Sequence, residues 1–366
     1  MRLTGSRGTA AVALSACLLA AACGGGDEET AAAPDGGGEE RLSIKFGTPS
    51  DTLSSSFYAF VAAQKLGYWE DENLDVELVP GSGSGALVEQ MIAGNLPAGA
   101  PSLPAVVEGL GAGLDIVDIY TISYGSIFAI WVPEDSDITS VEQLEGKKIG
   151  ISEAGGGETS VLGSALQDVG IDPVTGVTLI PIGSGEATTL DAIESGRVDA
   201  YSSSKNDGFS LVVSGVELRE ITPPLYAGFP GRSIVASPEG FEENREELMR
   251  LARGVAKATL FCEYNTEACQ DFLEEALPEQ WVGAEEGKPS QGSLQYEEAI
   301  KTSTVPEDEQ FGRHNEDETQ AFIDTIAAIT EDFQEVAVNE FLVDDILDEV
   351  NDFDREAIIA EAEAYE

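Results

Sequence analysis

Histidine occurs once among 366 residues, and methionine and tryptophan three times each. A single histidine excludes a His-pair metal motif, and no nucleophile elbow is present, so neither His-dependent hydrolysis nor a His-built metal centre is expected. His314 sits in Phe-Gly-Arg-His-Asn-Glu-Asp-Glu, a polar run that predicts an exposed helix start. Gly155-Gly156-Gly157-Glu158-Thr159 lacks the lysine that a Walker loop places before its hydroxyl residue. It also lacks the spacing of a dinucleotide fingerprint. No catalytic residue, metal site or cofactor is therefore expected. Positive charge is scarce as well: 19 basic residues face 68 acidic ones, for a net charge of −49. Nucleic-acid binding needs basic surface and is excluded. The acidic residues are spread along the chain and densest near 331–349. That pattern describes a solvated, salt-tolerant surface rather than a seat for a cationic partner.

Long hydrophobic runs are also missing. The only extended apolar stretch, Thr9–Ala22, is too short to span a membrane comfortably. Arg2 and Arg7 precede it and Cys23 follows, which describes a secretory signal over residues 1–22. A cysteine at that junction resembles a bacterial lipoprotein signal, so lipidation is expected at Cys23. The Gly-rich residues 23–41 form a flexible leash. Leu14-Ser15-Ala16-Cys17 matches the usual lipobox more closely, but Cys17 leaves Leu18-Leu19 and three alanines on the mature end. Cys23 is favoured over Cys17 and over ordinary secretory cleavage. The expected location is the extracytoplasmic face of the cell membrane, held there by the N-terminal lipid.

Of four cysteines, the remaining two are Cys262 and Cys269. The intervening Glu-Tyr-Asn-Thr-Glu reads as a helix end, a turn and a new N-cap at Asn265 or Thr266. That turn can bring the sulfurs together, and a disulfide is expected outside the cytoplasm.

From Ser43 to Tyr201, short apolar strands alternate with helical segments in units of about 30 residues, which implies α/β architecture with parallel sheets. The alternation pauses near residue 133, restarts, and gives way to nearly continuous helix from Glu239. Two doubly wound lobes joined by a hinge are expected: 42–132 with 223–366 as lobe 1, including the C-terminal helices, and 133–222 as lobe 2. In such folds ligands bind at strand carboxyl ends, in the crevice between lobes.

Three stretches carry a family resemblance. Tyr68-Trp69-Glu70-Asp71-Glu72-Asn73-Leu74-Asp75-Val76-Glu77 resembles the Gly-Tyr-Phe-Glu-Glu-Glu-Gly-Leu-Asp-Val-Glu stretch of type II periplasmic solute-binding proteins. Ser140–Gly150, with Gly146-Lys147-Lys148, resembles their passage into the second lobe. Leu190–Tyr201, with Gly196-Arg197-Val198-Asp199-Ala200-Tyr201, resembles their helix–strand unit. Together they are similar to the nitrate/sulfonate/taurine and thiamine-pyrimidine-precursor branch. The resemblance implies a monomeric lipid-anchored receptor that closes two lobes on a small molecule and delivers it to the permease of an ABC importer. Sensory surface lipoproteins share the fold, and a pyrimidine-synthesising enzyme belongs to the same branch.

Candidate ligand contacts are loop residues at strand ends. They are Ser50, Asp51 and Ser54 after the first strand, Ser82, Gly83 and Ser84 after the second, and Ser102 after the third. Tyr124 lies near the crossing between lobes. Gly156, Gly157, Glu158 and Thr159 open a helix, and Ser202 and Asn206 follow a later strand. Hydroxyls and helix-start N–H groups can hold an anion or polar head group without a formal positive charge. Asp51, Glu158 and the negative field disfavour a small dianion. They lean towards an organic ligand, an amine-bearing heterocycle or zwitterion, with Phe57, Tyr58, Tyr124 or Tyr226 for stacking.

Overall fold

Two five-stranded sheets form the frame. The computed structural model describes residues 41–152, 157–184, 187–282, 289–306, 309–330 and 332–365. The expected signal and leash, with Cys17 and Cys23, lie outside the described residues, as do Gly155 and Gly156. The strands are β1 (Leu42–Gly47), β2 (Leu74–Val79), β3 (Ala98–Gly99), β4 (Val117–Ser123), β5 (Phe128–Pro133), β6 (Lys148–Ile151), β7 (Thr178–Pro181), β8 (Ala200–Ser204), β9 (Leu218–Glu220) and β10 (Arg232–Ala236). The first sheet has the order β2-β1-β3-β10-β4 and the second β7-β6-β8-β5-β9. Edge strand β2 alternates polar and apolar residues. Interior strand β5 is buried from Phe128 to Val132, as a strand covered on both faces must be.

The sheets are mixed rather than parallel. β1 runs parallel to β2 and β3, and β6 parallel to β7 and β8, as expected. β10 is antiparallel to β3 and β4, and β5 antiparallel to β8 and β9. These two strands receive the chain directly from the opposite sheet. The first crossing has no helix and the second only the single turn Pro224–Ala227, too short for the crossover that parallel pairing within one sheet requires. Phe128–Pro133 therefore belongs to the second sheet, not to the first lobe. The first crossing lies at residues 124–127 and the second at 221–231. The two crossings touch: the Ser126 N–H donates to the Ala227 carbonyl (3.0 Å), and Gly231 donates to Ser123 (2.9 Å). A Cβ on Gly231 would lie 2.4 Å from the Gly125 carbonyl oxygen, so only glycine permits this approach.

The three motifs are structural devices. Trp69 is buried and donates its indole N–H to the Leu251 carbonyl at 3.0 Å. Glu72 pairs with Arg253 (2.7 Å) and Lys257 (2.6 Å) on the helix Arg245–Tyr264, with all three side chains under 20% exposed. Asn73 adopts φ 54°, a left-handed turn that Asn tolerates and Gly prefers. The second and third motifs meet: the Asp199 carboxylate accepts the Lys148 backbone N–H (2.8 Å), and Asp199 N–H donates to the Lys148 carbonyl (2.7 Å).

Cys262 and Cys269 form a disulfide with a Cα separation of 5.6 Å. Asn265 caps the helix Thr266–Ala276 by accepting the Ala268 N–H at 3.0 Å. Closing so short a loop removes denatured-state entropy worth roughly 2.5 kcal/mol. Reduction is expected to lower stability by about that amount, read as a lower urea midpoint with and without reductant. Coincident midpoints would mean that the bridge contributes nothing.

His314 departs from expectation. It is not exposed: its side chain is 2% accessible, its Nε2 lies 3.1 Å from Asp118 and its Nδ1 2.6 Å from Asp344. Local polarity suggests a solvent-facing position, but the segment folds back onto β4, where Thr121 N–H donates to the Gly312 carbonyl at 3.0 Å, beside Val343, whose N–H donates to the Asp118 carbonyl at 2.8 Å.

Candidate functional site

Between the sheets, beside the two crossings, lies a cavity of about 60 Å³. Ser123 reaches it from the end of β4, Ser126 and Ile127 from the first crossing, and Arg232 from the start of β10. Ser204, Lys205 and Asn206 reach it from the junction of β8 with the helix Lys205–Val213. Gln295, Glu298 and Thr302 come from the helix Gln291–Ser303. The volume suffices for a few waters or the head group of a small solute.

Arg232 is its most unusual member. The residue is 9% exposed and its Nε has no hydrogen-bond partner among the described residues. Among the described residues no carboxylate pairs with it, and burial lowers its pKa to about 10. It thus stays protonated at neutral pH. Its guanidinium lies 4.5 Å from the centre of the Phe57 ring, a cation–π contact. Isolated buried cations are costly and rare unless a partner neutralises them. Sequence reasoning missed this residue. The available signal was a cation opening the apolar run Ser-Ile-Val-Ala, directly after Gly-Phe-Pro-Gly.

Several expected contacts lie near Arg232. Ser102 bridges to it through the backbone, and Leu103 N–H donates to the Gly231 carbonyl at 3.1 Å. Ser84 Oγ accepts the Ser102 N–H at 3.0 Å. A Cβ on Gly157 would approach Ser102 Oγ to 3.5 Å, so that helix start lies over the Ser102 turn. Asn206 lines the cavity and donates to Ser54 Oγ at 3.4 Å across the two sheets. Ser50, Asp51 and Ser82 are exposed, and Gly83 donates its N–H to the Pro49 carbonyl at 2.7 Å, clipping these loops together.

Others turn elsewhere. Glu158 is buried and its Oε1 accepts the Ser152 N–H at 3.0 Å, while Ser202 Oγ donates to the Glu158 carbonyl at 3.4 Å. Thr159 is half-buried in the same helix turn. Tyr124 lines a separate, smaller void with Tyr58 and Tyr120, and burial holds its phenol neutral. Tyr226 is buried and donates to Asp168 at 2.6 Å. Among the aromatic side chains named for stacking, Phe57 alone comes near the cavity, beneath Arg232.

The sheets are closed on each other. Lys205 pairs with Glu298 and Ser160 bonds Glu108, both across the two sheets, and Gln291 donates to Ser210 Oγ at 2.6 Å. The arrangement is a small polar chamber with an unpaired buried cation, assembled from both halves of the molecule.

Solved structures share this fold. The aliphatic sulphonate binding protein SsuA of Escherichia coli superposes with a TM-score of 0.65 at 16% identity, covering 84% of this chain and 99% of its own. SsuA of Xanthomonas axonopodis pv. citri, an alkanesulfonate-binding protein bound to MOPS, gives 0.62 at 17%, with 84% and 99% covered. The nitrate-binding protein NrtA of Synechocystis PCC 6803 gives 0.58 at 13%, with 89% and 99% covered. At such identities the likeness establishes the fold, that of the periplasmic binding proteins. No curated protein sequence matches the chain. The family model described as NMT1/THI5 like matches residues 54–268, more than half of the chain and spanning all three motifs. Fold, motifs and model agree, and the chain belongs to the NMT1/THI5-like family.

Proposed function

We propose that this protein is an extracytoplasmic solute-binding lipoprotein. It captures a small molecule carrying an anionic group between its lobes and delivers it to the permease of an ABC importer. Arg232 carries the reading: a buried guanidinium without a counter-ion is the observation that most favours an anionic ligand. Asn206, which lines the chamber, adds a hydrogen-bond donor, and the loops of Ser50, Asp51, Ser54, Ser82, Gly83 and Ser84, with Ser102 behind Arg232, form the rim. Lobe 1 is read as residues 42–123 with 232–366 and lobe 2 as 128–220, with the two crossings as hinge. A ligand touching both lobes stabilises the closed form by its differential affinity. Binding rather than turnover fits a lining without histidine or cysteine. The lipid on Cys23 and the Gly-rich leash keep a monomeric receptor beside its permease.

The earlier lean towards an amine-bearing ligand is replaced by this anion, since Glu158 is engaged with Ser152 and Asp51 is exposed. Thermal-shift screening of residues 42–366 tests the reading, with nitrate, bicarbonate, methanesulfonate, taurine and uncharged pyrimidines. Anions are expected to raise the melting temperature by several degrees. Stabilisation by a pyrimidine alone, with no response to any anion, refutes the head-group assignment.

A further inference from the structure

Arg232 is not the only charge facing the chamber. Lys205, the first residue of its helix, pairs through Nζ with Oε1 of Glu298 on the helix Gln291–Ser303, and both residues line the same cavity. Their side chains are 12% and 22% exposed. The second Glu298 oxygen lies 4.0 Å from Lys301, whose side chain is 78% exposed, so solvent screens that contact. Lys205 and Glu298 cancel each other, which leaves the chamber with a single uncompensated positive charge, on Arg232. A monoanion neutralises that charge. A dianion leaves one negative charge buried without a partner, which is unfavourable.

We propose that Glu298 sets the charge specificity of the site: by engaging Lys205 it confines the chamber to monoanions. The pair joins the Lys205 helix to the helix Gln291–Ser303, so the charge balance is completed only when the lobes close. This inference rests on the reading of Arg232 as the anion anchor.

Methanesulfonate and sulfate test it, because they share a tetrahedral shape and differ by one charge. Titration calorimetry at constant ionic strength is expected to show the wild type preferring methanesulfonate. In Glu298→Gln, Lys205 is released, and the preference for methanesulfonate over sulfate is expected to fall at least tenfold. Lys205→Met leaves the Glu298 carboxylate facing the anion and is expected to weaken methanesulfonate binding at least tenfold. An unchanged preference in folded Glu298→Gln overturns the proposal. Should that variant fail to fold, wild-type affinity for methanesulfonate in Lys205→Met overturns it instead. Failure of the wild type to bind either anion removes the Arg232 reading itself, and this inference with it.

Discussion

Arg232→Met is expected to abolish anion capture while raising the melting temperature of the ligand-free protein. The two effects share one cause. Without ligand, the guanidinium is buried with an unpartnered Nε and no paired carboxylate among the described residues, and only the Phe57 ring partly offsets its desolvation. Methionine has a similar reach, fills the space beside Phe57 and removes the desolvated charge, so the ligand-free variant is expected to gain stability. With ligand, the variant loses the only uncompensated positive charge in the chamber. Truncating one partner of a buried charged pair costs about 2–5 kcal/mol, a loss in affinity of at least thirtyfold. Arg232→Lys keeps the charge but loses the planar fork, so an intermediate affinity is expected. Calorimetry and thermal unfolding on the same samples decide the matter. A variant less stable than wild type without ligand makes Arg232 a structural residue.

A second large effect is expected at His314. Burial by itself lowers its pKa, but the charge of Asp118 and the hydrogen bonds to Asp118 and Asp344 outweigh burial and raise it to about 9. Unfolded histidine titrates near 6.5. A group whose pKa is raised on folding contributes its full stability below the unfolded value and loses it as pH rises through the folded value. The contribution is therefore complete below about pH 6.5 and gone above about pH 9, and linkage over that interval amounts to roughly 3 kcal/mol. Urea midpoints measured from pH 6 to 9.5 are expected to fall steadily. In Asp118→Asn the slope should flatten. His314→Ala strands the buried Asp118 carboxylate and is expected to cost about 3–5 kcal/mol at pH 6.5. A slope in His314→Ala equal to that of the wild type refutes the assignment. The pin matters for architecture, because it fastens the segment around His314 and Asp344 to β4 of the first sheet.

Much of the fold was legible because it depends on local patterning. Apolar runs bounded by Gly and Pro located β1, β2, β4 and β6 within a residue or two, since turn chemistry and burial act over that range. The directions of β5 and β10 were not legible. Antiparallel pairing arises from how the chain crosses between sheets, and Phe128–Val132 and Ser233–Ala236 have the same apolar composition whichever way they run. The site was legible in its surroundings rather than its centre. Of the strand-end residues named, Asn206 lines the chamber, Ser54 accepts its amide and Ser102 pairs with Arg232 through the backbone, whereas Glu158 and Tyr124 were named on the same rule and turn to other partners. Side-chain direction after a strand end depends on packing, which a linear pattern does not encode.

By itself, the sequence determined the alternating α/β order and the three motifs that tie helices to strands. These follow from periodicity, turn residues and composition, which act within a few residues or over the whole chain. The tertiary structure alone decided which charges lack partners. Arg232 stands without one and Lys205 is spent on Glu298, while His314 is locked between two carboxylates. These outcomes depend on residues from 30 to about 200 positions apart in the chain. Desolvation and Coulomb interaction act through space, so an acidic chain of net charge −49 can still bury an arginine without a carboxylate partner among the described residues, beside its two crossings.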